Sequence, residues 1–271
     1  MRQEPIGLIQ KTNIPRLQHY GLALERTAQG VIWHDLQDFT ANSQQLHQIF
    51  SRMAQDGHLA GWRDEPFALA QHLHAPPHAL IERAALPYLG ICGYGIHLNG
   101  LTLRNGKIHM WLGKRAANKS THPNQLDQIA AGGLPYGISV FDNLLKESQE
   151  EAGIPATLAQ QAKAVSIVSY LHQTDIGIRA DITFNYDLWL PEAFTPQNQD
   201  GEVAEFLCLP IEEIIEILHK PERIKFNAAL VIIDSLVRLG YLSAKHPDYQ
   251  YICSNLNPRD NLLNAWIATF N

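Results

Sequence analysis

The sequence is short of three features that would place it in a specialised class of protein: cysteine, positive charge and long hydrophobic runs. Its three cysteines, Cys92, Cys208 and Cys253, are too far apart to form a CxxC or Cys/His motif. A disulfide framework and a structural zinc site are therefore not expected. No stretch approaches about 18 uncharged apolar residues, and the N-terminus lacks the apolar segment of a signal peptide. We therefore expect a cytoplasmic protein without a membrane partner.

The deficit of positive charge excludes a second class. The chain has 21 Lys and Arg against 27 Asp and Glu, which gives a net charge of −6 with neutral histidines. Proteins that hold a nucleic-acid backbone need clustered basic residues, so no such partner is expected. A small phosphorylated substrate remains compatible with this balance, because carboxylates bind phosphates through divalent metal ions.

The 271 residues, 45% of them hydrophobic, suffice for one large domain or two small ones. The patterns favour two: a small N-terminal α/β domain at 1–88, and a larger domain at 89–250 that a tail or helix at 251–271 follows. Mixed strands and helices indicate an α/β or α+β fold.

Local patterns predict several elements of these domains. In the first, Leu46, Ile49, Phe50 and Met53 share one helical face, and a second short helix is expected from Pro77 through Ala85. In the second, Asn105-Gly106 predicts a hairpin turn, since both residues tolerate positive φ. Four aromatic residues are expected mostly in the core of the sheet: Trp111, Phe184, Tyr186 and Trp189.

The most informative segment is GGLPYGISVFDNLLKESQEEAGI at 132–154. It predicts a helix from about Ser139 to Ala152, in which Ser139 caps the start and Gly153 marks the end. Five residues are expected to form its buried stripe: Val140, Phe141, Leu144, Leu145 and Ala152. Glu147, Glu150 and Glu151 follow i, i+3, i+4 spacing on another face. Such carboxylates repel one another unless a divalent cation lies between them, although a solvated surface helix would show the same run.

This segment resembles the box of the Nudix hydrolase family, which reads G, five residues, E, seven residues, R-E-U-x-E-E-x-G-U with U aliphatic. Gly132 matches its first glycine, and Glu147, Glu150, Glu151 and Gly153 match its core glutamates and final glycine. The chain departs from the box at Lys146, Ser148 and Ile138, which replace its arginine, an aliphatic residue and its first glutamate.

The resemblance continues outside the box. GYGIHLNGLTL, WLGKR, FNYDLWLP and DGEVAEFLCLP are similar to the Nudix branch that occurs alone or fused to thiamine pyrophosphokinase, and GWRDE at 61–65 is similar to the extra leading domain of that branch. The resemblance implies a Nudix α/β/α sandwich with a mixed sheet, preceded by a small α/β N-terminal domain.

The resemblance also implies a site. Glu150 and Glu151 would coordinate Mg²⁺, for which Mn²⁺ could substitute, and a carbonyl near Gly132 would complete the ligands. Glu147 would be a further ligand or would orient the attacking water, while Lys146 would hold the glutamates in place. Glu202 resembles the later glutamate of the family, a ligand or general base.

Three cations are candidates for binding the substrate phosphates: Arg115, Lys119 and Arg179. For each of them, an ordinary surface cation is the competing interpretation.

The implied activity is cleavage of the diphosphate bond of a small organic diphosphate. Thiamine diphosphate and its oxidised or otherwise damaged analogues, which would yield the monophosphate, are the first substrates to test. Two alternatives remain: a hydrolase of ADP-ribose, dinucleotides or sugar nucleotides, and a non-catalytic Nudix fold that binds a ligand. A homodimer is compatible with either.

Overall fold

The computed structural model describes residues 5–28, 30–119 and 121–256. The N-terminal part contains three helices, two short antiparallel hairpins (β1 with β2, β3 with β4) and a 3₁₀ turn. Their bounds are α1 Ile14–His19, β1 Leu24–Thr27, β2 Gly30–Trp33, α2 Phe39–Gln55, β3 Pro66–Leu69, β4 Ala79–Glu82, the 3₁₀ turn Arg83–Ala85 and α3 Leu86–Leu89.

Helix α2 confirms the predicted apolar face. Asp38 caps its start by accepting a hydrogen bond from the Ala41 amide at 2.7 Å, so the helix begins a little earlier than the apolar spacing alone indicates. The four predicted face residues are buried. With apolar side chains of α1, β3, β4 and α3 they form one core, whose buried members all lie between residues 14 and 91.

The helix predicted from Pro77 through Ala85 is wrong over most of its length. Residues 79–82 form strand β4 instead, in which Ile81 pairs with Phe67 of β3. Because this partner lies outside the local sequence, pairing across the hairpin overrides the helical signal of the proline pair.

The described part of the chain after residue 91 forms one seven-stranded sheet with helices on its faces. The elements are β5 Cys92–Arg104, β6 Lys107–Arg115, β7 Leu126–Gln128, β8 Ala130–Gly133, α4 Val140–Ala152, α5 Ala156–Ala159, β9 Lys163–Thr174, β10 Gly177–Trp189, β11 Val203–Pro210, α6 Ile211–Leu218, α7 Phe226–Arg238 and α8 Tyr249–Leu256. The main order is β11-β6-β5-β10-β9, with β7 beside β6 and β8 beside β5. Strands β5 and β10 run parallel and the other pairs are antiparallel, so the sheet is mixed.

Two apolar cores cover the two faces of this sheet. Along β6, Trp111 belongs to the core under α4 and α5, while its neighbours Met110 and Leu112 belong to the core under α6 and α7. This alternation follows from the two-residue period of a strand. The result is the expected α/β/α sandwich with a mixed sheet, preceded by a small α/β region.

Individual predictions within the sandwich had mixed outcomes. Asn105 and Gly106 adopt positive φ in the β5–β6 turn, as expected. Trp111 and Tyr186 are buried, whereas Trp189, the last residue of β10, is 47% exposed. Phe141 is 40% exposed, because the fully buried part of its helix stripe starts one turn later at Leu144.

The domain bounds at residues 88 and 250 stay predictions. Of the predicted tail or helix at 251–271, residues 251–256 belong to α8 and the rest lies outside the described residues. Among the helices of the described ranges, none combines the length and the apolar character that crossing a bilayer requires.

Candidate active site

Local signals at both ends determine the extent of helix α4. The Ser139 side chain accepts a hydrogen bond from the Asp142 amide at 3.0 Å, which satisfies one of the free donors of the first turn. Gly153 ends the helix in the left-handed conformation, with φ 61°, and its amide donates to the Gln149 carbonyl. The predicted bounds are confirmed to within one residue.

Two of the three box glutamates point from α4 toward strand β8. The Glu151 carboxylate accepts a hydrogen bond from the Ala131 amide at 2.7 Å and is buried. The Glu147 carboxylate lies against Gly132, where a Cβ atom would come within 2.2 Å of its Cδ. Because only glycine leaves this space, Gly132 permits the close approach of helix and strand.

Glu150 instead lies on the outer side of the helix with Lys146. The Lys146 Nζ is 2.9 Å from a Glu150 oxygen and 3.1 Å from a Glu147 oxygen. Partial burial lowers the pKa of Lys146, but these two carboxylates outweigh it and raise the pKa overall. Lys146 therefore bridges the two glutamates, although an ammonium group cannot grip a carboxylate with a planar fork as arginine does.

A loop at 191–202 brings two further carboxylates to Glu151. Its Gln197 and Gln199 amides donate to carbonyls of the last turn of α4, each at 3.0 Å. Asp200 then accepts a hydrogen bond from the Glu202 amide at 2.8 Å. Carboxylate oxygens of Glu151, Asp200 and Glu202 lie within 4.8 Å of one another, and we call these three residues the carboxylate cluster.

The cluster differs from the predicted ligand set. It contains Glu151 and Glu202 from that set, adds Asp200, and does not include Glu147 or Glu150. Sequence reasoning missed Asp200, although its position two residues before Glu202 in an Asp-Gly turn is a signal for a side chain that folds back on its own backbone.

Two cations flank the cluster at Glu202. The Lys119 ammonium binds one oxygen of that carboxylate, and the Arg63 Nη1 binds the other at 3.1 Å. Burial alone would raise the pKa of Glu202, but the hydrogen bond and charge of Lys119, together with Arg63, lower it overall. Arg63 lies in the N-terminal part of the chain, and sequence reasoning missed it.

The charge on Glu151 is far less compensated. Burial raises the pKa of this carboxyl well above its usual range, and the neighbouring charges of Glu147, Asp127 and Glu202 raise it further, against the hydrogen bond from Ala131. Burial likewise raises the pKa of Glu147, against Lys146. A buried carboxylate beside other carboxylates is an environment that a hard divalent cation relieves, since such cations prefer oxygen ligands. The cluster therefore fits a cation of this kind.

The three predicted phosphate-binding cations separate into two groups. Lys119 contacts the cluster, as described above. Arg115 instead lies 3.5 Å from the buried Asp127, which Lys225 binds at 2.7 Å. Arg179 pairs with Asp181 at 2.6 Å. Each of these two arginines thus neutralises a separate aspartate.

The sequence of the chain is similar to those of several known proteins. Residues 1–93 match a family described as a domain of unknown function, DUF4743. The chain is 42% identical over 212 residues to "Nudix hydrolase 20, chloroplastic" of Arabidopsis thaliana, a match that covers 78% of this chain and 57% of that protein. It is 44% identical over 201 residues to "Nudix hydrolase 24, chloroplastic" of the same plant, covering 74% and 55%. An uncharacterized protein of Saccharomyces cerevisiae is 35% identical over 241 residues, covering 82% and 70%. The chain thus spans just over half the length of the two plant relatives.

Proposed function

Because the chain belongs to the Nudix hydrolase family, we propose that it is a Mg²⁺-dependent hydrolase that cleaves the diphosphate bond of a small organic diphosphate. The observation that carries this proposal is the carboxylate cluster, which joins Glu151 of helix α4 to Asp200 and Glu202 of the 191–202 loop. Its central residue, Glu151, is 7% exposed and its charge is poorly compensated.

The residues of the site divide the work between them. Glu151, Asp200 and Glu202 hold the cation, and the Gly132 backbone lies against Glu147. Glu147 faces the same side of the helix as Glu151 and orients the attacking water. Lys146 keeps Glu147 in place and draws Glu150 to the outer side, so Glu150 contributes mainly charge.

When bound, Mg²⁺ or Mn²⁺ neutralises charge on the diphosphate and makes a coordinated water more acidic. The Lys119 ammonium is placed to attract a phosphate oxygen, because it lies at the cluster. Arg115 and Arg179 act at a distance, by neutralising the buried Asp127 and the partly buried Asp181.

As substrate we propose thiamine diphosphate or a damaged analogue of it. The product would be the corresponding monophosphate. Support for this choice is the resemblance of the sequence to the branch associated with thiamine pyrophosphokinase. All organic diphosphates present the same diphosphate group to this site. Rates measured side by side must therefore separate thiamine compounds from ADP-ribose.

The test is a panel of diphosphates incubated with the purified full chain and Mg²⁺, with products separated by chromatography. We expect a monophosphate product from a thiamine compound, and a rate at least about 100-fold lower in Glu151→Gln. The matched control is Glu213→Gln, which changes an exposed glutamate of α6 and should leave the rate unchanged. Faster cleavage of ADP-ribose would transfer the substrate assignment to nucleotides. A ligand recovered intact from every incubation would contradict hydrolysis.

Three broader properties belong to the same proposal. We place the protein in the cytoplasm, which the three free cysteines support because reduced thiols are usual there. We assign 1–88 and 89–250 to separate domains, and we keep a homodimer as the oligomeric state to test. Cell fractionation, limited proteolysis and light scattering check these points in turn.

A further inference from the structure

The N-terminal part of the chain reaches the carboxylate cluster through one side chain. Arg63 follows Gly61-Trp62 in the segment before strand β3, and its Nη1 lies 3.1 Å from Glu202 Oε1. The two residues are 139 positions apart in sequence. This contact therefore joins the region matched by the domain of unknown function to the candidate active site.

The segment that carries Arg63 is held firmly on both sides. The Arg63 and Glu65 amides donate to the carboxylate of buried Glu82, at 3.3 and 3.0 Å. The Arg83 guanidinium binds the Glu65 carboxylate at 2.8 Å. The guanidinium of Arg63 thus extends from a braced backbone, which reduces the entropy that an ordinary surface ion pair loses on forming.

A second contact fixes the same region against the box. The Tyr136 amide, in the loop before α4, donates to the Pro66 carbonyl at 2.8 Å. Next to it, a Cβ atom on Gly133 would come within 2.8 Å of the Phe67 ring. Strand β3 therefore packs directly on strand β8, which lies beside Glu147. This packing sets the position of Arg63 relative to the cluster.

The charges around Glu202 explain what Arg63 does there. One oxygen of this carboxylate binds Lys119, which belongs to the same domain as the cluster, and the other binds Arg63. Without Arg63 the second oxygen is free to turn toward a cation held by Glu151 and Asp200. Arg63 thus limits how much of the Glu202 charge a metal receives and holds the carboxylate in one orientation.

We propose that Arg63 is a positioning residue that acts through Glu202, and that the N-terminal domain is thereby a working part of the hydrolase site. This inference rests on the proposed function for its effect on turnover. Its effect on cation binding by the carboxylate cluster does not depend on turnover.

The experiment compares Arg63→Met and Arg63→Lys with the wild type, and uses Arg16→Met as the matched control, since Arg16 is an exposed arginine of α1. Mn²⁺ affinity is measured by calorimetry without substrate, and kcat and KM are measured on the substrate found above. Arg63→Met should bind Mn²⁺ about three- to tenfold more tightly, because a cation competing for Glu202 is gone. Its kcat should fall about tenfold while KM changes less, and Arg63→Lys should recover most of the loss.

The control for mechanism is the same substitution in a Glu202→Gln background. If Arg63 acts through Glu202, Arg63→Met should no longer tighten Mn²⁺ binding there. Unchanged Mn²⁺ affinity in the single variant, or equal tightening in both backgrounds, would overturn the proposal. The proposal would also be overturned if Mn²⁺ affinity and kcat both fell in proportion to a lower urea midpoint, because that result indicates a structural role alone. If the wild type has no turnover, the proposed function fails, and the two Mn²⁺ titrations still decide whether Arg63 acts on the cluster.

Discussion

Replacing Glu151 by glutamine should raise the free energy of unfolding of the metal-free protein and abolish its stabilisation by Mg²⁺. Glutamine keeps the shape of the side chain and an oxygen that can accept the 2.7 Å hydrogen bond from Ala131. What it removes is a buried negative charge whose neighbours are other carboxylates. The same change therefore has opposite effects with and without the cation.

The size of the effect follows from the spacing of the cluster. Two unit charges 4.8 Å apart repel by about 3.5 kcal/mol at an effective dielectric constant of about 20. Lys119 and Arg63 offset much of the part due to Glu202, so a net gain of about 1–2 kcal/mol is expected for the metal-free variant at neutral pH. Mg²⁺ at 100 times its dissociation constant should stabilise the wild type by about 2.7 kcal/mol, and Glu151→Gln by almost nothing.

The assay is urea unfolding with a chelator and then with Mg²⁺, with Glu213→Gln as control. The pKa of Glu151 is raised above its ordinary value of 4.5, so the folded state binds the extra proton and metal-free wild type gains stability as pH falls. The gap between variant and wild type should thus close as the pH approaches 4.5. A metal-free variant less stable than wild type would refute the reasoning, because it would show that the Glu151 charge stabilises the fold.

Three other predictions follow from particular contacts. Burial lowers the pKa of His97 from 6.5 to about 4, so the unfolded chain binds a proton at this residue before the folded chain does. The free energy of unfolding of the wild type should therefore fall by up to about 3 kcal/mol between pH 6.5 and 4, and urea titration should show a smaller fall in His97→Gln. Gly132→Ala should cut kcat about tenfold or more in the diphosphate assay, since its Cβ would displace Glu147, and an unchanged kcat would contradict that contact. Gly153→Ala should lower the urea stability by about 1–2 kcal/mol because of its positive φ and should weaken Mn²⁺ binding, since the new Cβ would press on Gln197 in the loop that carries Asp200.

The parts of the fold that the sequence predicts well are those with local signals. Ser139 and Gly153 mark the ends of α4 because a cap and a left-handed glycine act within one turn of the helix. The helix predicted across β4 is wrong because Ile81 pairs with Phe67, and thirteen residues of chain separate the two. Strand pairing of this kind is a tertiary effect that periodicity does not reveal.

The candidate site shows the same difference between local signals and contacts over long distances in the sequence. The box spacing placed Glu147 and Glu151 on the helix, and these two side chains lie against β8. Glu150 differs from these two in exposure, since its side chain is 46% exposed and pairs with Lys146. Arg63 could not be placed from spacing, since it reaches the cluster through a contact between distant segments of chain. The Asp-Gly turn signals a local contact of Asp200 with Glu202, but not the approach of both residues to Glu151.

The most direct test of the proposed metal site is the position of Mn²⁺ in a crystal soaked with that ion and a non-hydrolysable organic diphosphate, located by anomalous scattering. We expect a peak about 2–2.5 Å from carboxylate oxygens of Glu151, Asp200 and Glu202, with the diphosphate oxygens on its open side. A peak bound by Glu150 on the outer side of α4, or a diphosphate seated away from the cluster, would contradict it.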